Sequence, residues 1–582
     1  VLKFVGSLLV SALILAVMTS SMKILHIHGV DETTENGETF GDSYGSPSEM
    51  AEDSNPSAPH VVMITLDDVG MNDVGYLSID LPEVTPFINS LAARGVKLMN
   101  YYGQSLCTPA RNTLMTGRFP HRTGFSSIDD SIEIDAYSNY SLPIGIKLMP
   151  AFFKTEGYAT YAVGKWNLGH CNVAYLPTSR GFDFFLGYAS PGISYYAHDT
   201  DVHAYYTWDS QTYTLFDLME TSSTGGVKDA DIFVKRAGVY SDEIFMNKAL
   251  GHISQHTGVS AQPFFMWVAL QAAHDDSGWT VPRSMYHEVS NNMVSNVSNL
   301  NLTSRRGSLA GAMSTTDVIV HRIYDALENL DGDYVLVMQS DNGADTCGSN
   351  IAGSNLPYRG SKMSFFEGGV KVFAFIYSST NSFDSIRGYK YFGLMHHVDW
   401  IATFLAAIGS SQVLGSTFDS ENHWDNVLKA SVPDGGSSQS TGNHTTRAIV
   451  FALGTYEYTT ALSIHSTLFY SIRQGNYKIM HQLNNASWFC LDKEYASDVC
   501  LNAGTESNFL FDLASDPYEH VNLYYDVQFT SVREKLHGMA LKLHSEQSFT
   551  PTHEYSSATS EDAYRAFNES GGYVAPWGCE VQ

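Results

Sequence analysis

From Pro59 onward, short apolar runs alternate with stretches whose apolar positions recur at helical spacing, the pattern of a mostly parallel sheet flanked by helices. His60 to Leu66 is an unbroken run rich in β-branched residues, which predicts a strand buried on both faces and ending at Asp67-Asp68. Thr85 to Ala93 predicts a helix, Tyr158 to Val163 a strand ending at Lys165, and Phe264 to Leu270 a strand ending before His274. A helix around Thr316 to Leu330 leads into a strand at Tyr334 to Met338, which ends at Asp341-Asn342. Chemically capable side chains therefore recur just past the carboxyl ends of strands, the edge at which open α/β sheets bind ligands.

The periodicity fades between Gly409 and Thr446, where Ser, Gly and Asn dominate. Beyond it, Thr467 to Gln482 alternates around Gln474-Gly475-Asn476 as a hairpin does, and Ser531 to Leu543 predicts a helix that packs on the domain. The expected division is a main α/β domain over residues 59–410, a linker or variable loop over 411–446, and a smaller subdomain of antiparallel sheet and helix over 447–582. Ahead of these, Lys3 precedes an apolar run from Phe4 to Met18, and Thr19-Ser20-Ser21 offers small cleavage-site residues, so residues 1–21 read as a signal peptide. The run is short for a membrane span, which leaves a retained signal anchor as the second reading. The first residue is Val1 rather than methionine, as in a truncated precursor. Residues 22–58, acidic and rich in Gly, Ser, Thr and Pro, read as a flexible leader.

Composition narrows the class. A chain of 582 residues that is 43% hydrophobic and 13% aromatic is globular, and long enough for more than one domain. Its 33 basic against 61 acidic residues give a net charge of −28, which excludes a sequence-independent binder of nucleic-acid backbones. An anionic substrate must therefore meet local positive charge. Sequons at Asn139, Asn296, Asn301, Asn443, Asn485 and Asn568 permit glycosylation and agree with a secretory route, secreted or lysosomal.

Asp67, Asp68, Asp341 and Asn342 offer three carboxylates and an amide oxygen, a hard set suited to Ca²⁺ or Mg²⁺ and poorly suited to zinc. Either pair alone is more simply a turn or helix cap. Cys107-Thr108-Pro109-Ala110-Arg111, continued through Gly117-Arg118, by itself reads as a buried cysteine opening a helix, with Pro109 in the first turn and Gly117 at the end.

Taken together, these segments resemble the sulfatase family, of the alkaline-phosphatase-like superfamily. Cys107, with proline two positions on and arginine four, resembles the signature that a formylglycine-generating enzyme reads when it oxidises the cysteine. Leu66-Asp67-Asp68-Val69-Gly70 and Ser340-Asp341-Asn342-Gly343-Ala344 resemble the family's metal motifs. Val163-Gly164-Lys165-Trp166 and Arg359-Gly360-Ser361-Lys362 resemble segments that bring lysines to sulfate, and Leu270 to His274 the segment of a histidine near the leaving group. Leu176 to Asp183, Gly187-Tyr188 and Tyr195 to His198 look most like the arylsulfatase B branch, whose members act on sulfated galactosamine. Phe511 to Pro517 resembles the family's carboxyl-terminal turn, so the likeness spans about Pro59 to Leu523. The aromatic-rich stretch from Tyr195 to Tyr213 is either a carbohydrate-contacting surface or ordinary structural packing.

The resemblance implies one calcium ion held by Asp67, Asp68, Asp341, Asn342 and the formylglycine made from Cys107. A hydroxyl of the hydrated aldehyde would attack sulfur, with Arg111, Lys165 and Lys362 stabilising charge and His274 serving the departing oxygen. The substrate implied is a sulfated carbohydrate or aryl sulfate. With Cys107 consumed, Cys171, Cys347, Cys490, Cys500 and Cys579 remain, an odd number, and Cys490 with Cys500 is the pairing expected for a small loop.

One position departs from the family. Asn167 stands where most relatives have a histidine thought to take the proton that closes the cycle, and asparagine is no base near neutral pH. Three readings stay open: a sulfate ester hydrolase with altered kinetics, a formylglycine-dependent phosphoester hydrolase, and a glycan-binding pseudoenzyme.

Overall fold

The computed structural model describes residues 58–126, 132–200, 205–208, 211–224, 238–258, 262–275, 305–346, 352–429, 447–459, 464–483, 506–547 and 561–581. In chain order the strands are β1 (His60–Leu66), β2 (Val96–Tyr102), β3 (Ala159–Lys165), β4 (Phe184–Tyr188), β5 (Tyr205–Trp208), β6 (Gln211–Thr214), β7 (Met219–Ser222), β8 (Phe264–Ala269), β9 (Tyr334–Ser340), β10 (Ala374–Ser378) and β11 (Lys390–His396). Four more follow: β12 (Ala448–Thr459), β13 (Ile464–Gln474), β14 (Tyr477–His481) and β15 (Phe509–Asp512).

Nine strands form one mixed sheet in the order β11-β2-β10-β9-β1-β8-β3-β4-β7. β1 lies near its middle, parallel to both β8 and β9, and every one of its residues is buried. Its alternating side chains feed two cores: Val62, Ile64 and Leu66 pack on one face of the sheet, Val61 and Met63 on the other. This two-sided burial is why the sequence reads as an unbroken apolar run. The antiparallel members are β10, against β9 and β2, and β7, against β4.

Register fixes where the strand ends fall. Leu66 of β1 lies opposite Ser340 of β9, so Asp67 and Asp341 leave the sheet side by side. Gly164 of β3 lies opposite Ala269 of β8, which brings Lys165 to the same edge. A Cβ at Gly164 would lie 1.8 Å from the Ala269 carbonyl oxygen, so only glycine permits this approach.

The predicted elements shift by small amounts: the first helix spans Pro86–Arg94, and β3 and β9 run on to Lys165 and Ser340. The largest difference is the helix Arg305–Glu328, which begins well before Thr316. Gly307 and Gly311 weaken its sequence signal, yet Leu309, Ala310, Ala312 and Met313 are buried, and that packing outweighs propensity. Residues 411–429, within the stretch read as a linker, carry the short helix Trp424–Leu428, with Trp424 and Val427 in the core beside the sheet. Leu176 to Asp183 serves the scaffold: Arg180 donates to the carbonyls of Leu142, Pro143 and Ile146, and Asp183 accepts from Thr160.

A second sheet, β12-β13-β14-β15, is antiparallel and packs with the helix Thr530–Gln547 through Leu536 and Ala540. β13 and β14 form the expected hairpin around Gly475, whose φ is 58°. Contacts through Glu367, Lys478 and Glu519 join this sheet to the main one: Lys478 Nζ lies 3.0 Å from a carboxylate oxygen of each.

Cys171 and Cys579 form a disulfide, and Cys107 is a free, buried thiol. The Cys490–Cys500 pairing, Cys347, the sequons at Asn296, Asn301, Asn443 and Asn485, and residues 1–57 lie outside the described residues. Asn139 and Asn568 are exposed. Tyr195 is fully buried and stacked on Tyr240, which gives that part of the aromatic stretch a packing role. Among the described residues, no helix is long and apolar enough to cross a membrane.

Candidate active site

The site lies where β1, β3, β8 and β9 end. Cys107 opens a helix, Cys107–Thr116, in which every side chain is buried; Gly117 ends it in a left-handed conformation with φ of 63°. The Cys107 thiol faces Asp67 Oδ1 at 3.3 Å and Asp68 Oδ1 at 3.7 Å. One ligand atom from each of these residues falls within 4.8 Å of the others.

Asp341 and Asn342 complete the acidic side. The Asp68 N–H donates to Asp341 Oδ1 at 3.2 Å, and the Asn342 amide nitrogen donates to Asp68 Oδ1 at 2.6 Å. Among the described residues, Asn342 Oδ1 is buried with no hydrogen-bond partner. An orphaned amide oxygen beside three carboxylates is what a hard cation would satisfy, so these residues fit Ca²⁺.

The cations are distributed over the carboxylates. Lys165 Nζ donates to Asp67 Oδ2 at 2.7 Å. Arg111 donates to Asp341 Oδ2 at 2.9 Å and to the Lys165 carbonyl at 2.9 Å, and lies 3.6 Å from Asp67. Lys362 Nζ donates to Asp68 Oδ2 at 2.7 Å, and His274 Nε2 lies 3.6 Å from the same oxygen. His274 Nδ1 donates to the Asp275 carbonyl at 2.9 Å, which leaves Nε2 as the nitrogen facing the site. Arg111, Lys165 and Asp67 have no exposed side-chain surface, whereas Lys362, His274 and Asp68 keep 8 to 12%. The mouth of the site is therefore on the Lys362 and His274 side.

Burial disfavours ionised Asp67, but Lys165 and Arg111 outweigh it and hold the carboxyl well below the usual range. Lys362 and His274 do the same for Asp68. Burial, with Asp67 nearby, pushes Asp341 up to about 7. Burial also opposes the charge on Lys165 and Lys362, yet Asp67 and Asp68 respectively raise both above the ordinary lysine value. The Cys107 thiol is pushed well up by burial and then by Asp67, so an unmodified Cys107 is a protonated thiol and a poor nucleophile. Once Asp341 is ionised, as a bound divalent cation would favour, the three carboxylates balance Arg111, Lys165 and Lys362 in charge. A bound divalent cation would leave a net positive site that favours a small anion.

The structure thus brings Cys107, Arg111, Lys165, His274, Lys362, Asp67, Asp68, Asp341 and Asn342 into one cluster. Asn167 is adjacent but committed elsewhere: its amide accepts from the Thr108 hydroxyl at 2.7 Å and donates to the Ile134 carbonyl at 2.8 Å. His170 bonds the Ala136 carbonyl and packs against Trp577, so it supplies nothing in Asn167's place. Several supporting residues escaped the sequence reading. Asp242 accepts from the backbone of Gln271 and Ala272 and sets the segment leading to His274, whose carbonyl accepts from the Tyr195 hydroxyl. Ser340 accepts from the Val69 N–H and donates to the Asn342 carbonyl, tying the two acidic pairs together. Ser340 could have been suspected from its place before Asp341 and Tyr195 lies in a segment the sequence singled out for another role, whereas Asp242 carries no local signal.

The family described as "Sulfatase" matches residues 59–410. Arylsulfatase J of Mus musculus is 33% identical over 353 residues, which are 60% of this chain and 52% of that protein. N-acetylgalactosamine-6-sulfatase of Homo sapiens is 28% identical over 329 residues, 54% of this chain and 56% of that protein. The chain thus spans about half the length of these curated relatives. The crystal structure of Ps i-CgsB in complex with k-i-k-neocarrahexaose superposes with a TM-score of 0.63 at 20% identity, covering 88% of this chain and 98% of that one, a likeness of fold.

Proposed function

Because the chain belongs to the sulfatase family, we propose that it hydrolyses sulfate esters, on a glycan, with Cys107 as the precursor of a formylglycine nucleophile. The observation that supports this most is the single buried cluster in which the free Cys107 meets Asp67, Asp68 and, through Lys362, the mouth of the site. When bound, calcium would supply Lewis-acid polarisation and formylglycine the attacking hydroxyl.

The chain's own residues do the rest. Asp67, Asp68, Asp341 and Asn342 would hold the ion. Lys165 and Arg111, locked on Asp67 and Asp341, present fixed positive charge to the transferring group without reorganisation. Lys362 and His274 converge on Asp68 Oδ2 at the mouth, where the alcohol would depart, and Lys362 Nζ would donate to its oxygen with His274 Nε2 beside it.

The proposed substrate is a sulfated galactosamine-containing glycan, nearest the arylsulfatase B branch. The segments Leu176 to Asp183, Gly187-Tyr188 and Tyr195 to His198 support it, as does likeness to an N-acetylgalactosamine-6-sulfatase. A secretory route, with maturation by a formylglycine-generating enzyme, is supported by the Cys171–Cys579 disulfide, since such bonds persist in oxidising compartments.

One observation favours a second reading. Asn167 spends its amide on Thr108 and Ile134, so among the described residues this position offers no base, as in a glycan-binding pseudoenzyme. Turnover of sulfate and phosphate esters by protein whose Cys107 peptide is shown by mass spectrometry to be fully converted decides the matter. Sulfate release upholds the reading; preferential phosphate release, or no turnover, overturns it.

A further inference from the structure

β2 and β10 pair at Val96–Ile376 and Lys97–Phe375, then part, and meet again at the bridge between Tyr102 and Lys371. Met99 and Phe373 lie in the gap and line a cavity of about 120 Å³, together with Tyr76, Tyr358 and Lys97. An apolar cavity of roughly this size holds one benzene-sized ring. None of the residues of the Cys107 cluster lines it, although Tyr358 stands on the segment that leads to Lys362.

The walls are apolar and aromatic apart from two groups. Tyr76 meets the Phe375 ring edge-on, with centroids 6.2 Å apart, and burial alone raises its phenol well above the ordinary value. Lys97 lies opposite Phe375 on one side and opposite Lys390 of β11 on the other. Like charges directly across a sheet destabilise it. Burial, and then the Lys390 charge, lower the Lys97 ammonium below the usual lysine range. Among the described residues no carboxylate pairs with either lysine, in a chain of 61 acidic residues against 33 basic. A ring-sized apolar cavity with a doubled positive charge at its edge is complementary to an aromatic anion: few polar groups around an apolar pocket fix a ligand's orientation.

We propose that this cavity is a second ligand site, separate from the Cys107 cluster, which takes a single aromatic ring carrying an anionic group. The ring lies among Met99, Phe373 and Tyr76, and the anion meets Lys97 and Lys390 and relieves their repulsion. The site forms whether or not Cys107 is converted, because no lining residue belongs to the reacting cluster.

Isothermal titration calorimetry of the full chain with benzoate, and with benzamide as its neutral counterpart, tests this. Benzoate should bind with a Kd of about 1 mM or below, and benzamide ~10-fold more weakly, the scale of one charge-assisted contact. Lys97→Met should weaken benzoate by ~10-fold, leave benzamide within about twofold, and melt no lower than the parent, because it removes a like-charge pair. Met99→Trp, which fills the cavity, should abolish binding of both. Saturating inorganic sulfate should leave benzoate binding unchanged. Absence of benzoate binding overturns the proposal. So do equal affinities for benzoate and benzamide, an unchanged benzoate affinity in Lys97→Met, and displacement of benzoate by inorganic sulfate, which would place the ring at the Cys107 cluster.

Discussion

Asn167 accepts a hydrogen bond from the Thr108 hydroxyl at 2.7 Å, and Thr108 is the residue next to Cys107. The same Thr108 oxygen accepts from the Ile134 N–H at 3.1 Å, so one buried knot ties the loop after β3 to the start of the Cys107 helix. A position that resemblance assigns to proton transfer has here become a support.

That knot makes two substitutions at Asn167 diverge. Asn167→Ala strands the Thr108 hydroxyl and the Ile134 carbonyl, and should lower unfolding free energy by ~1–3 kcal/mol in denaturant titrations. Asn167→His, an imidazole that tolerates positive φ, should raise kcat for sulfate release by up to ~10²-fold with KM little changed. A kcat that falls in the histidine variant would show that the support outweighs the chemistry.

Calcium should stabilise the folded protein. Asp67 and Asp341 are fully buried, Asp68 nearly so, and among the described residues Asn342 Oδ1 has no partner, so an ion that binds this set binds the native state and not the unfolded chain. Thermal scans should show a melting temperature that rises on adding Ca²⁺ and falls on chelation, with stabilisation of ~2.7 kcal/mol at a hundredfold excess over Kd. Asn342→Leu should reduce that response, and an undiminished one would remove Asn342 from the ligand set.

The joint between the sheets predicts an acid limb. Burial raises the Glu367 carboxyl, but Lys478, then Lys371 and Arg473, outweigh it and hold it at about 2, below its ordinary 4.5. A carboxyl depressed on folding contributes stability that is present above the unfolded value and is lost as pH falls through the folded one. Unfolding free energy should therefore decline from about pH 4.5 toward pH 2. Lys478→Met should be less stable at neutral pH and show a shallower acid limb, measured by urea titration at each pH.

Non-reducing peptide mapping should recover Cys171 joined to Cys579. The carboxyl-terminal segment is also held by three N–H groups, of Trp577, Gly578 and Cys579, converging on the Cys171 carbonyl. Paired replacement of both cysteines by serine should cost ~2–5 kcal/mol of stability while leaving the Cys107 cluster able to bind calcium.

Most of the architecture was legible because it is written locally. β1 reads as a strand since both its faces are buried, and the hairpin β13–β14 reads from its alternation and its glycine turn. The start of the Arg305–Glu328 helix was hidden, because its glycines argue against a helix that burial of Leu309 and Met313 nonetheless sustains. The buried ion pair between Arg447 and Asp399, at 2.7 Å, lies across 48 residues and left no trace in the pattern.

The sequence by itself determined the strand ends, the Cys107 segment and the chemical types at the site, since each is encoded within a few neighbouring residues. Only the tertiary structure decided which of them meet. The Leu66–Ser340 register sets Asp67 beside Asp341, Asp242 and Tyr195 fix the approach of His274, and Thr108 claims Asn167. These are contacts across tens to hundreds of residues, and they exist only after the sheet has packed and burial has forced each polar group to find a partner.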